Sequence, residues 1–233
     1  MKLVVNGKVK PQPVRLIGLH GGIGVGKDTF ADIAKELLSN RGVWTVGYAD
    51  PIKRIAQQLY GFSAHDLWGP SSARAAISPL YKDPSMIARF VLQKLGTEVC
   101  RAIHPDTWLK AFEDTFKKLD GSARYSREGG VLYDDDDVVD KNTYSNRVIV
   151  TDVRFKNELT HIKMLGGVLV KIIRPVEVSA EQNSIPDHIS NQVFPDELFD
   201  YVLPNNGSLA DYRYNIGGLL VDIDWLVKDP AGR

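Results

Sequence analysis

Short runs of β-branched and aliphatic residues alternate along the chain with longer amphipathic segments, the pattern of a parallel sheet covered by helices. The runs that read as strands are Val14–Leu19, Val43–Tyr48, Val148–Thr151, Val168–Ile173 and a shorter one at Tyr201–Leu203. A first helix follows the glycines after Leu19, with Phe30, Ile33, Ala34, Leu37 and Leu38 on one face. A second is expected from about Ser85 to Arg101, with Ile87, Phe90, Val91 and Leu95 on its apolar side. Asp106 is placed to cap a third, in which Leu109, Phe112, Phe116 and Leu119 recur at helical spacing. Asn157 is expected to open a short helix through Leu159, Ile162 and Leu165 that Gly166-Gly167 ends. Ser208 starts the last one, with Leu209, Tyr212, Ile216, Leu219 and Ile223 as its buried stripe. Asn6-Gly7 suggests a small hairpin near Met1, and no internal repeat is present.

Two stretches break this regularity. Gly121–Asn146 is polar, carries glycines and contains Asp134-Asp135-Asp136-Asp137, so it reads as an exposed insertion. The four aspartates lack the alternation, the central glycine and the distal glutamate of a calcium loop. The other stretch, Pro175–Pro195, separates a strand from the next element. Composition then narrows the partners. The 233 residues suit one sizeable α/β domain, and 43% apolar with 25% charged residues is ordinary for a globular chain. Acidic and basic residues balance at 29 each, so no overall field draws the protein to nucleic acid or to an anionic membrane. Cys100 is the single cysteine and cannot form an intramolecular disulfide, which favours a reducing, cytoplasmic setting. No apolar run has bilayer-spanning length, and the first residues lack the hydrophobic region of a signal peptide.

The chemistry concentrates on Gly21-Gly22-Ile23-Gly24-Val25-Gly26-Lys27, between a buried strand and an amphipathic helix. Glycines there let successive backbone N–H groups converge on phosphate oxygens, and the helix N-terminus adds favourable partial charge. Lys27 would reach the β- and γ-phosphates of a nucleoside triphosphate. The plainer alternative, a glycine-rich turn with an incidental lysine, is disfavoured by the strand before and the helix after. A second element is the apolar run Val148–Thr151 ending in Asp152, with Arg154 two residues on. A carboxylate at such a strand end organises the water around Mg²⁺ in phosphate-loop folds. An Asp–Arg surface pair is the alternative there, and the glycine loop favours the functional reading. The dispersed histidines and Cys100 indicate neither a metal cage nor a thiol nucleophile.

Several blocks carry a wider resemblance. Gly26-Lys27-Asp28-Thr29, Tyr48-Ala49-Asp50-Pro51-Ile52-Lys53, Leu67-Trp68-Gly69 and Leu92-Gln93-Lys94-Leu95-Gly96-Thr97-Glu98 occur in order. They are followed by Asp106-Thr107-Trp108, Thr151-Asp152-Val153-Arg154-Phe155-Lys156-Asn157-Glu158, Arg174-Pro175, His188-Ile189-Ser190 and Asn205-Asn206-Gly207. From Arg15 to about Leu220 this series resembles the phage-type deoxynucleoside monophosphate kinases; Gly121–Asn146 and the first dozen residues have no counterpart. The loop departs from the commonest form, since Asp28 follows the lysine and Thr29 comes next, an ending often carried by nucleoside and nucleotide kinases.

The resemblance implies a single α/β phosphate-loop domain over residues 1–233, with a five-stranded, mainly parallel sheet flanked by helices. It further implies an acceptor-binding region at about 50–101 and a lid at about 175–195 that closes over ATP. The implied activity is direct in-line transfer from ATP, with Mg²⁺, to a deoxynucleoside monophosphate. Lys27, Arg174, Arg154 and Asp152 are the implied catalytic residues. ATP would be bound by Gly22, Gly24, Val25, Gly26, Lys27, Asp28, Thr29, Arg174 and Asn206, and Mg²⁺ by Asp28 and Asp152 through water. Candidates for the acceptor are Asp50, Trp68, Arg74, Arg101, Arg154 and Phe155. For Trp68 and Phe155 core packing is the competing role, and for Arg74 and Arg101 a solvated or ion-paired one. Neither nucleic acid nor membrane is an expected partner, a homodimer is left open, and a phage-encoded protein would act in the host cytoplasm. Dephospho-coenzyme A and phosphomevalonate kinases on the same scaffold are the nearest rival reading; a non-catalytic nucleotide-binding protein is the more distant one.

Overall fold

A computed structural model of the chain describes residues 4–5, 8–9, 14–39, 42–119, 124–132, 147–175 and 194–226. Strands β1 (Val4–Val5) and β2 (Lys8–Val9) pair antiparallel in the register of a two-residue hairpin. They are followed by β3 (Leu16–His20), α1 (Lys27–Leu37), β4 (Val43–Val46), α2 (Asp50–Tyr60) and α3 (Ala64–Trp68). Next come α4 (Ala88–Gln93), α5 (Cys100–Ile103), α6 (Thr107–Lys118) and the short strands β5 (Arg124–Ser126) and β6 (Gly130–Leu132). The chain continues with β7 (Arg147–Val150), α7 (Lys156–Met164), β8 (Val168–Ile173), β9 (Tyr201–Pro204) and a last helix, Leu209–Asp222. Two compact units result: Met1–Thr45 with Tyr144–Arg233, and Val46–Thr143.

In the first unit the five-stranded sheet runs β4-β7-β3-β8-β9, and β3 pairs in parallel with both β7 and β8. Every residue of β3 is buried, because helices cover both faces of the sheet. Alternation along the strand divides its side chains. Ile17 and Leu19 join Phe30, Ala34, Tyr212, Ile216 and Leu220 in the main core, under α1 and the last helix. Gly18 faces the other way, where a Cβ would stand 3.0 Å from Ile162 of α7. The chain leaves β3 for β4 on one side and crosses to β8 on the other only after β7, so the order of strands reverses beside β3. Ligand sites of open α/β sheets lie beyond the strand ends at such a reversal.

Two details of this unit depart from the sequence reading. Helix α7 begins at Lys156, with Phe155 at its cap position, and Asn157 lies within its first turn. Glu158, rather than an Asn cap, supplies the acceptor for the Arg154 and Phe155 amides just before the helix. The last helix does start after Ser208, whose hydroxyl exchanges capping bonds with Asp211. Its first residue, Leu209, is 67% exposed; the buried stripe begins at Tyr212 instead.

The second unit is helical. Asp50 and Pro51 open α2, where proline is tolerated because first-turn amides have no helical partner, and Gly61 ends it at φ 73°. Ser63 and Asp66 form a reciprocal cap on α3. Ala56, Phe62, Leu67, Ala88 and Val91 make the small core. The helix expected over Ser85–Arg101 starts at Ala88 and is interrupted by a π-helical stretch, Lys94–Val99. Trp108 Nε1 donates to the Gly96 carbonyl within that stretch at 2.9 Å. Phe90, expected on the apolar side, is 40% exposed. Helix α6 follows Asp106 with Leu109 and Phe112 buried, though the Asp106 carboxylate makes no capping bond. Within the stretch read as an exposed insertion, β5 and β6 form an antiparallel hairpin in which Tyr125 is only 7% exposed. Asp134–Asp137 lie outside the described residues, as does nearly all of Pro175–Pro195.

Candidate functional site

The glycine loop leaves β3 at Gly21 and enters α1 at Lys27, and its backbone explains its composition. Gly24 and Gly26 have φ of 77° and 101°, a region that disfavours side chains. A Cβ on Gly26 would also meet Asn205 Nδ2 at 2.6 Å, so the position admits only glycine. That contact reflects how the loop is anchored. Asn205, buried after β9, donates through Nδ2 to the Val25 carbonyl at 2.8 Å. Tyr212 Oη donates to the Gly26 carbonyl at 3.1 Å. Burial pushes the Tyr212 phenol above its ordinary value, with the charge of Arg174 acting in the opposite sense. The phenol is therefore a constant donor over the physiological range. Lys27 bridges its own loop, donating from Nζ to the Gly21 and Gly22 carbonyls at 2.7 and 2.6 Å. Asp28 and Thr29 are exposed on the first turn of α1, and Ile23 is exposed at the loop's crest.

Beyond β7 the chain passes Thr151, which is buried, and Asp152, which is partly exposed. The turn that follows is held group by group. Val153 N donates to the Leu19 carbonyl at 3.2 Å, and His20 Nδ1 bonds the Val153 carbonyl at 2.9 Å. Glu158 Oε2 accepts from the Arg154 and Phe155 amides at 2.7 and 3.0 Å. The Arg154 side chain stays exposed. His20 lies within a ring cluster, stacked on Phe199 at 5.2 Å and edge-on to Phe194 at 5.3 Å. Burial lowers its pKa below 6.5; the Val153 carbonyl opposes that, and the charges of Lys27 and Lys171 reinforce it. A neutral ring that gives its proton to a carbonyl is the Nδ1–H tautomer.

Arg174 is exposed directly after β8, and Asn205 N ties to the Ile173 carbonyl at 2.7 Å. Lys171, one strand over from His20, fixes the start of the next described segment by bonding the Phe194 carbonyl at 2.7 Å and Asp196 at 2.6 Å. Asn206 is exposed, whereas its neighbour Asn205 holds the loop. The first unit therefore gathers Lys27, Asp28, Asp152, Arg154 and Arg174 on segments that follow the carboxyl ends of β3, β7 and β8. Asp28, Thr29 and Asp152 offer oxygen donors alone, and among the described residues no group of three carboxylate, His or Cys side chains is set to hold a metal.

The acceptor candidates of the second unit fall into separate places. Asp50 is fully buried, and its two oxygens accept four bonds. Oδ2 takes Gly47 N at 2.7 Å and Tyr125 Oη at 3.0 Å, while Oδ1 takes Trp68 Nε1 at 2.9 Å and Arg127 Nε at 3.2 Å. A carboxylate so engaged works by holding its donors in place. Lys53 lies 5.6 Å over the Trp68 ring, and Arg54 reaches the Arg127 carbonyl at 2.9 Å. Burial, and then the charge of Asp50, raise the Tyr125 phenol. Arg74 stands on a 3₁₀ turn, Ser71–Ala75, and Arg101 bonds the Pro105 carbonyl at 3.1 Å. The sequence reading did not single out His20 or Tyr125, gave no role to Glu158 within its block, and treated Tyr212 only as core.

No family model matches the chain. A protein of Acanthamoeba polyphaga mimivirus named "putative deoxynucleotide monophosphate kinase" is 29% identical over 205 residues, which is 86% of this chain and 93% of that relative. Among solved structures, the dephospho-CoA kinase from Campylobacter jejuni aligns with 90% of this chain and 97% of its own, at 17% identity and a TM-score of 0.42.

Proposed function

We propose that this protein is a kinase that transfers the γ-phosphate of ATP to the phosphate of a deoxynucleoside monophosphate, giving two diphosphates. The observation that carries the reading is the anchored glycine loop with Lys27 at its helical end. The name of the mimivirus relative supports the choice of acceptor. An acceptor phosphate oxygen attacks the γ-phosphorus in line, the bond to the β,γ-bridging oxygen breaks, and ADP leaves; no covalent enzyme intermediate is needed. Loop amides and Lys27 hold the triphosphate, and Arg174 adds charge to the equatorial oxygens of the group in transfer. Arg154 binds the acceptor phosphate, with Phe155 beside it. Trp68, positioned by Asp50, and Arg74 and Arg101 are assigned to acceptor recognition in the second unit. Asp28, Thr29 and Asp152 suit Mg²⁺, which keeps much of its water and phosphate shell and neutralises phosphate charge when bound. Asn206 is assigned to the adenine end of ATP.

Coupled ADP release with ATP, Mg²⁺ and a panel of deoxy- and ribonucleoside monophosphates tests the reading, with dephospho-coenzyme A in the same panel. The expected result is turnover with at least one deoxynucleoside monophosphate and none with dephospho-coenzyme A. Turnover confined to dephospho-coenzyme A would move the acceptor, and absence of any acceptor-dependent ADP release would reject a kinase.

A further inference from the structure

We propose that His20 and Glu158 are positioning residues that clamp the backbone of Val153–Phe155, His20 to the end of β3 and Glu158 to α7, so that Arg154 is presented at a set place relative to the glycine loop. The inference rests on the reading of Arg154 as the ligand of the acceptor phosphate. The paired register of β3 and β7 runs from Leu16↔Val148 to Gly18↔Val150, and the chain after β7 must then turn toward α7. A turn leaving a parallel ladder loses its regular partners, and its buried polar groups need others.

Here they are supplied one at a time. The Val153 amide reaches back to the Leu19 carbonyl at 3.2 Å, and the Val153 carbonyl takes the His20 ring proton at 2.9 Å. The next two amides, of Arg154 and Phe155, both donate to one oxygen of Glu158, a residue only 2% exposed. Four backbone polar groups of the turn are thereby fixed, two by β3 and two by α7, while the Arg154 side chain remains exposed. His20 is suited to this because its ring cannot swing: Phe199 stacks on it and Phe194 meets it edge-on. Gly21, the first residue of the phosphate loop, directly follows His20. One imidazole thus joins the loop that holds one substrate to the turn that holds the other. Displacements of about 1 Å in such a pairing can cost about 100-fold in rate, which gives a positioning bond a functional effect beyond its small contribution to stability.

Two amide substitutions separate this role from mere packing. In His20→Asn the side-chain nitrogen occupies nearly the position of Nδ1 and can still reach the Val153 carbonyl; in His20→Gln the amide lies one carbon further out and the bond is lost. Steady-state kinetics and amide exchange of Val153, Arg154 and Phe155 by NMR are measured for both. The expected result is a monophosphate KM near wild type in His20→Asn and about 10-fold higher in His20→Gln, with the ATP KM unchanged in both. Exchange at the three amides should be faster in His20→Gln than in His20→Asn. Glu158→Gln, which keeps an acceptor oxygen, should behave as wild type, and Glu158→Leu should behave as His20→Gln. Equal values in the Asn and Gln variants, or ATP and monophosphate KM rising together, would overturn the clamp. If wild type turns over no monophosphate, the proposed function fails, and the exchange comparison alone still decides the clamp.

Discussion

The glycine loop of the first unit and the Asp50 cluster of the second both have charge concentrated about them, and they use it in opposite ways. Around the loop the backbone is held by the Asn205 amide and the Tyr212 phenol, and the partly exposed Lys27 ammonium bridges two of its carbonyls. The charged groups nearby, Asp28, Asp152, Arg154 and Arg174, keep contact with solvent. In the second unit the charge itself is the fastening: Asp50 is buried with four donors converging on it, Arg127 among them. A carboxylate in that condition is committed to structure, since any new partner must displace an old one. Removing a loop charge should therefore alter chemistry and leave stability, and removing Asp50 should do the reverse.

Arg174→Ala offers the largest effect, a loss of kcat by roughly 10³ or more if the side chain meets charge that develops in transfer. Arg154→Ala should instead act chiefly on the monophosphate KM, since its phosphate is present before transfer. Reversed signatures in steady-state kinetics would show that the two arginines have been assigned the wrong substrates. On the other side of the comparison, Asp50→Ala strands four donors and should cost about 3 kcal/mol in urea denaturation. Tyr125→Phe removes one of those donors and should cost about 1 kcal/mol. If either variant left the denaturation midpoint where it was, the cluster would not be the fastening described.

The smallest expected effect is one of pH. Burial holds the folded His20 below 6.5, so it binds a proton less readily than the unfolded chain. Its contribution is undiminished above pH 6.5 and is lost as pH falls from there toward the folded value, because the unfolded state gains the proton first. Stability measured from pH 7.5 downward should consequently decline less steeply in His20→Asn than in wild type. Identical slopes would mean that the ring is not held neutral.

The parts of this arrangement that could be read in advance are those written locally. Val168–Ile173 is a strand in both readings, since five aliphatic residues in six between Gly166-Gly167 and Pro175 admit little else. Gly26-Lys27 opens a helix because its signals are adjacent. Helix α2 was less legible for a physical reason: its buried face includes Asp50 and Lys53 beside Ile52 and Ala56, so no clean apolar stripe marks it. The anchoring of the loop was not legible: Asn205 stood in a block read for its neighbour Asn206, and Tyr212 read as core. Asn205 and Tyr212 reach residues 180 and 186 positions away, and His20 reaches across 133. The hairpin at Arg124–Leu132 sits in a stretch whose average composition is that of a solvated loop. One tyrosine and one arginine within it nonetheless meet a carboxylate 75 and 77 residues earlier. Composition averages over such pairs and cannot report them.

The most direct test of the central claim is Lys27→Ala, measured for acceptor-dependent ADP release and for thermal unfolding on the same preparation. The Lys27 ammonium bonds the Gly21 and Gly22 carbonyls of the loop, and Lys27 lies outside the hydrophobic core. The account predicts an unchanged unfolding midpoint and a loss of turnover of at least about 10²-fold. A folded Lys27→Ala protein that turns over near the wild-type rate would contradict it.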